Sequence, residues 1–147
     1  MAASNAWWAY GSTFKLGDGA TSESFTAVAE VLDISGPDMT RDSIQITNQD
    51  SDDGSREYLP GWRDGGTVSF DANWLPSNAT QDGSTGLLSH YEDDDNHNYQ
   101  IVTPTAVGKT ISFAGHVVGM PPSLPFQEQA KINFSIKISG KPTIAAS

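Results

Sequence analysis

The sequence predicts a mainly β, antiparallel domain with one helix and one long extended loop. Three observations carry that expectation. Apolar and polar residues alternate over several segments of eight or nine residues. Fourteen glycines and eight prolines in 147 residues favour many turns over long helices. Only one stretch of the chain has apolar residues at helical spacing.

Taken in order, Thr13–Leu16 reads as a short strand. Phe25–Ile34 also reads as a strand, although its faces are hard to separate. Val28, Leu32 and Ile34 surround Glu30 on one side, while Ala27, Ala29 and Val31 precede Asp33 on the other. Gly36–Gly65 is a long polar loop with a possible strand at Ser43–Thr47 and an acidic stretch around Asp50, Asp52 and Asp53. Loops of this length are usually functional or mobile. Thr67–Trp74 returns to alternation, with Val68, Phe70, Ala72 and Trp74 opposing Thr67, Ser69, Asp71 and Asn73. The helix is expected over Thr80–Tyr91, where Leu87, Leu88 and Tyr91 share a face and Asp82 suits the first turn. Gly83 and Gly86 weaken it by about 1 kcal/mol each. Glu92–Asp95 would sit badly at a helix C-terminus, so the helix should end near Tyr91. Tyr99–Thr103 is a second short strand. In Thr110–Val118, Ile111, Phe113 and Val117 oppose Ser112, Ala114 and His116. In Lys131–Ser139, Ile132, Phe134, Ile136 and Ile138 oppose Lys131, Asn133, Ser135 and Lys137.

The four better strands should form one sheet whose apolar face is covered by the helix and the short strands. Such a sheet has two long edges, and exposed edges invite pairing with other chains. Copies could pair edge to edge until a ring closes, which would turn the polar face into the inside of a wide channel.

Length and composition narrow the function. The chain is the size of one domain and can bury roughly two-thirds of its unfolded surface. It has no cysteine, so disulfides and thiolate metal sites are excluded. Eighteen acidic against eight basic residues give a net charge of −10, which disfavours gripping nucleic acid or anionic membranes. The charge is polarised: positions 1–95 hold seventeen acids and four bases (net −13), and positions 96–147 one acid and four lysines (net +3). Head-to-tail contact between copies and simple solubility both account for this. No segment reaches the ~18 apolar residues of a membrane span. Met1–Tyr10 lacks a basic, then apolar, leader pattern, so no signal peptide is expected and the sequons at Asn78 and Asn133 mean little. The same ten residues carry Trp7, Trp8 and Tyr10 beside no obvious strand. They suit an arm that docks elsewhere, or one that folds back onto its own domain.

The chain offers little to catalysis. It lacks a nucleophile elbow, a P-loop and a dinucleotide fingerprint. His90, His97 and His116 have no metal-ligand spacing. Asn48, Asp50 and Asp52 begin like a calcium loop, but the sixth position is Asp53 and the twelfth is Leu59. Asp93-Asp94-Asp95-Asn96-His97 is read as a solvated loop. No metal or cofactor is expected, and no basic patch interleaves with aromatics for nucleic-acid readout.

Four stretches in order carry a resemblance: FTAVAEVLDISGP, LPGWRDGGTVSFDANWLP, GLLSHYEDDDNHNYQIVTP and ISFAGHVVGMPPSLPFQEQAKINFSIKISGKPTI. Over Ser12–Ala145 the chain resembles the tail tube proteins of long-tailed, non-contractile, lambda-like phages. The resemblance implies an antiparallel β-sandwich or barrel-like fold with one flanking helix. It implies rings of six subunits stacked into a tube that carries DNA out of the virion. It also implies a structural role without catalysis, assembly in the host cytoplasm, and a place in the virion tail. The chain itself, the tape measure, the tail terminator and the distal tail proteins would be its partners. Genomic DNA would pass without specific binding, and no membrane is involved. Lambda's own tail tube protein carries an extra immunoglobulin-like domain at its C-terminus; because this sequence stops at Ser147, no such decoration is expected.

On that reading positions 1–11 form an N-terminal arm, 12–141 the tube domain and 142–147 a C-terminal arm. The loop 36–65 reaches the neighbouring ring through Arg41, Asp50, Asp52, Asp53, Arg56, Tyr58, Trp62 and Arg63, and Trp7 and Trp8 dock the arm. Alternation then puts Thr67, Ser69, Asp71, Asn73, Ser112, Ala114, His116, Lys131, Asn133, Ser135 and Lys137 on the lumen. The competing reading is a secreted β-sandwich that binds carbohydrate through Trp7, Trp8, Trp62 or Trp74. It would call for an export signal and for aromatics on a sheet face, whereas Trp74 falls on the dry side.

Overall fold

Alternation gathers the apolar side chains on one side of the strands, and the sheet rolls up to hide that side from water. A computed structural model describes residues 3–147. Along it run β1 (Thr13–Gly17), β2 (Phe25–Ala27), β3 (Val31–Ser35), β4 (Thr40–Gln45), β5 (Tyr58–Asp64), β6 (Thr67–Asn73), helix α1 (Leu87–Glu92), β7 (His97–Val102), β8 (Lys109–Gly119), β9 (Pro122–Ser123) and β10 (Lys131–Ala146). Eight strands make one antiparallel sheet in the order β2-β1-β7-β8-β10-β6-β3, with β9 pairing β10 beside that path. Among the described residues, strands β4 and β5 pair only with each other. The mainly β, barrel-like architecture with one helix is therefore the one observed. No helix of the described residues is long and apolar enough to cross a membrane.

Register explains how the core forms. Phe70 of β6 lies opposite Phe134 of β10, and Val68 opposite Ile136. Their apolar sets therefore fall on the same side, and all four are buried. Phe14 of β1 stacks on Phe70 at 4.2 Å, although three strands separate β1 from β6 in the sheet order. The sheet must curl to bring them together. Positions 25–35 then span the gap: β2 pairs β1, with Lys15 opposite Ala27, and β3 pairs β6, with Ile34 opposite Phe70.

Several expectations are corrected. The short strands β1 and β7 do not cover the sheet; they belong to it. The two long edges are not both free, because positions 25–35 occupy the outer sides of β1 and β6. That stretch is not one regular strand, since Glu30 adopts φ 51. The left-handed residue breaks the two-residue phase. Val28, Val31 and Ile34 consequently reach the core while Leu32 is exposed. The helix is shorter than Thr80–Tyr91. Asp82 Oδ1 accepts the backbone N–H groups of Ser84, Thr85 and Gly86, holding a turn in front of the helix instead of its first turn. The Thr85 N–H contributes most to lowering the Asp82 carboxyl below its usual pKa. Positions 142–146 are no free arm: they continue β10, with Thr143 opposite Ser112 and Ile144 opposite Ile111.

The stretch 36–65 is a β-hairpin where a loop was expected, and glycines fix its base. Gly36 and Gly66 sit at φ 103 and φ 77, and a side chain on Gly66 would run into the Asp38 carbonyl. Gly66→Ala is expected to cost about 2 kcal/mol or more, from backbone strain and the collision together. Gly119→Ala, which faces open space, should change stability by less than about 0.5 kcal/mol. Urea unfolding of both variants checks the contrast, and equal midpoints would refute it.

Candidate functional site

The polar side chains that alternate with the core form one continuous outer face. Register sets Lys131 opposite Asn73, Asn133 opposite Asp71, Ser135 opposite Ser69, and Lys137 opposite both Thr67 and His116. Ala114 and Ser112 extend the face along β8, where Ser139 and Thr143 oppose them. The eleven residues expected on one wet side are thus together on one side of the sheet, half-buried among one another except for exposed His116. Strand pairing carries the face further than the sequence suggested. Gln100 lies opposite Ser112, Asn98 opposite Ala114, and Lys15 opposite Gln100. Alternation was too short in β1 and β7 to reveal these.

The face is polar and partly hydrogen-bonded within itself, while Asn73 Oδ1 is buried without a partner. Asn133 donates from Nδ2 to Asp71 Oδ1 at 2.8 Å, and the Ser135 hydroxyl donates to Asn133 Oδ1 at 3.2 Å. Lys137 Nζ donates to Asp64 Oδ1 at 2.9 Å. That hydrogen bond, then the Gly66 N–H, then the lysine charge hold the Asp64 carboxyl below its usual pKa. A lysine and a carboxylate thereby neutralise each other locally.

The hairpin presents a different chemistry. Arg41 of β4 lies directly opposite Arg63 of β5, and Ser43 opposite Pro60. Two residues of β5, Gly61 and Trp62, thus oppose Asp42 alone, which is a β-bulge. Such bulges re-aim side chains, and Trp62 is 85% exposed. Tyr58 is also exposed, and so are Asp50, Asp52, Asp53 and Arg56 around the 3-10 turn at the hairpin tip. Ile44, Ile46 and Leu59 add apolar exposure that the sequence reading overlooked. A cleft of about 660 Å³ opens between the hairpin base and β10. In the arm, Trp7 and Trp8 are exposed and Trp8 stacks on Tyr10 at 5.0 Å. The first two positions of that arm lie outside the described residues. Trp74, by contrast, packs against the core.

Two features had escaped the sequence reading. Phe126, in the β8–β10 connection, is 97% exposed. Isolation from any periodic pattern, between prolines and polar residues, was its only signal. The second is a histidine stack between α1 and β7. His90 and His97 lie face to face with ring centres 3.8 Å apart, and His90 Nδ1 shares a hydrogen bond of 2.8 Å with the Tyr99 hydroxyl. His97 Nε2 is 3.3 Å from Asp93 Oδ2. Burial, then the neighbouring His97 charge, push the His90 pKa down to about 4, against the opposing pull of Asp93. Burial raises Tyr99 well above the usual phenol range. The stacked rings have parallel planes, so their lone pairs do not converge on one ion, and the pair reads as packing.

Comparison with known proteins follows the same lines. Solved structures share the fold over almost the whole chain. One comes from the virion of a native gene transfer agent particle (TM-score 0.74, 15% identity, 96% of this chain and 100% of that one). Another belongs to the sheath/tube terminator of an extracellular contractile injection system, PVC, in its extended state (TM-score 0.73, 14% identity, 99% and 100%). A third is from the tail of an empty gene transfer agent particle with C6 symmetry (TM-score 0.70, 17% identity, 91% and 95%). At these identities the likeness is one of fold. No curated protein matches the sequence. The family model described as "Lambda phage tail tube protein, TTP" matches residues 8–145, and it does not favour the sugar-binding alternative. With a barrel-like sheet, a polar outer face and that match across nearly its whole length, the chain belongs to the lambda phage tail tube protein family and is a structural protein of the phage tail.

Proposed function

We propose that the chain forms hexameric rings, stacked helically into a tube whose polar lumen lets DNA leave the virion. The observation that carries this reading is the unequal pairing of β10. Positions 131–137 have neighbours on both sides, β6 and, in part, β8 or β9, but beyond Ile138 the strand pairs with β8 alone. Its other edge and both outer edges of the β4–β5 hairpin have no strand partner among the described residues. Such edges are satisfied by sister copies. The six-fold symmetry of the gene transfer agent tail supports six copies per ring.

Within that tube, Thr67, Ser69, Asp71, Asn73, Ser112, Ala114, His116, Lys131, Asn133, Ser135 and Lys137 line the lumen. Positions 1–11 act as an arm through Trp7 and Trp8. The stretch 36–65 bridges rings through Arg41, Asp50, Asp52, Asp53, Arg56, Tyr58, Trp62 and Arg63. A two-stranded hairpin is marginal alone in water, so contact with the next ring would steady it. The role is structural, with no catalysis and no cofactor. Assembly takes place in the host cytoplasm, with tape measure, terminator and distal tail proteins at the tube's core and ends.

Negative-stain microscopy of concentrated protein is expected to show hollow tubes; discrete particles alone would refute the reading. The lumen assignment has its own test. Ser69→Lys with Asn133→Lys adds two cations per subunit, and each phosphate contact is attractive and salt-sensitive. DNA ejection should slow at low salt and recover at high salt. Ejection unchanged at low salt would remove these residues from the lumen.

A further inference from the structure

Phe126 is the most exposed large apolar side chain of the described residues, and Leu124 beside it is 68% exposed. Both lie between β8 and β10, where Pro121, Pro122 and Pro125 restrict the backbone. Pro122 pairs with Ile132 and Ser123 with Lys131, so the connection folds into a short hairpin that carries Phe126 at its turn. An aromatic ring left fully in water adds little to the fold, and with Leu124 beside it the tip presents apolar surface whose burial against a partner would be favourable.

The same chain carries a cavity of matching character. Met39, Trp62, Ile138 and Pro142 give the cleft at the hairpin base an apolar lining, and its wall carries three cations, Arg41, Arg63 and Lys141, against two carboxylates, Asp42 and Asp64. Arg41 and Arg63 are direct cross-strand neighbours, an arrangement that repels. Asp64, which also lines the cleft, is held by Lys137, and neither arginine forms an ion pair among the described residues. The cleft thus suits an apolar body with a negative charge close by. The tip supplies both, because Glu128, two residues from Phe126, is the one charged residue over positions 119–130.

A protomer cannot satisfy itself this way. The tip precedes Lys131 and the cleft lies at Ile138–Pro142 along β10, so roughly 25 Å or more of strand separates them. We propose that the Leu124–Glu128 tip of one copy seats in the cleft of a second copy, with Phe126 against the apolar lining and Glu128 beside Arg41 and Arg63. The inference rests on the self-association proposed above. It gives that association a head-to-tail contact, the kind that closes rings or extends filaments.

The chain has no cysteine, so introduced thiols report directly. A mixture of Gln127→Cys and Thr40→Cys proteins, assembled and then oxidised, is expected to yield a disulfide-linked dimer joined through positions 127 and 40. Phe126→Ser should raise the concentration needed for assembly by ~30-fold or more, with monomer unfolding unchanged, and Phe126→Trp should restore assembly. Glu128→Arg should weaken assembly, and adding Arg63→Glu should recover part of the loss. If tubes form while the Gln127→Cys protein fails to cross-link to the Thr40→Cys protein, or if a Trp8→Cys protein cross-links there instead, the contact is wrong and self-association survives. If no tubes form under any condition, both fall together.

Discussion

Phe14→Ala is expected to destabilise the protein by about 4 kcal/mol, the usual range for a fully buried aromatic being roughly 3–5. Phe14 is 0% exposed. Its ring lies 4.2 Å from Phe70, 5.7 Å from Tyr99 and 6.1 Å from Phe113. These partners come from β6, β7 and β8, so one side chain ties β1 to three other strands. Its truncation leaves a cavity where the curled sheet meets itself, and the barrel cannot collapse into it without opening the seam that positions 25–35 close. A domain of this size is stable by only about 5–15 kcal/mol. The midpoint of thermal unfolding should therefore fall by roughly 10–15 °C. Assembly should become sensitive to temperature over the same interval, because the unfolded fraction has no edge to offer. Phe126→Ala provides the contrast: the same chemistry removed from an exposed position should leave the midpoint within about 1–2 °C. Calorimetry of the two variants decides it, and comparable losses would mean that Phe14 does not hold the seam.

How much of this was legible beforehand depends on whether local pattern or distant partners set each element. β6, β8 and β10 were legible because each keeps one face buried along most of its length, so the two-residue period is written into Val68, Phe70 and Ala72 or Ile132, Phe134 and Ile136. The stretch 25–35 was ambiguous because Glu30 changes the phase, and nothing in its neighbours demands a left-handed residue there. β5 was illegible from pattern: it contains Pro60 and Gly61, none of its residues is fully buried, and a bulge breaks its register. The eleven residues of the polar face were found by alternation, whereas Asn98, Gln100 and Lys15 joined them only through strand order. Strand order is a long-range property that spacing does not encode. Phe126 and the His90–His97 stack share that limit, since exposure of the one and pairing of the other depend on parts of the chain far from any motif.

The stack leads to the second large effect, a loss of stability in mild acid. His90 is a buried residue of α1, and its pKa falls from 6.5 to about 4, first because burial disfavours the charged ring and second because of His97. The unfolded chain therefore binds this proton before the folded one does. Between pH 6.5 and about 4 the unfolded state carries more protons, and stability rises with pH across that window. The contribution is complete above pH 6.5, is lost as pH falls, and is exhausted near pH 4, a change of about 3 kcal/mol from this group. Asp64, Asp82 and Asp93, whose pKa values are all lowered, act in the same direction but only at pH values below about 4, where unfolded carboxylates begin to protonate. His90→Gln separates the two sources. The amide keeps a hydrogen-bonding partner for the Tyr99 hydroxyl and cannot titrate. At pH 7 the variant should be less stable than the parent by about 1–2 kcal/mol, from poorer packing against His97. At pH 4 that gap should vanish or reverse, because the parent alone has taken up a buried proton. Urea midpoints at pH 7, 5.5 and 4 measure the convergence. Parallel profiles for the two proteins would show that the His90 ring is not the group that titrates.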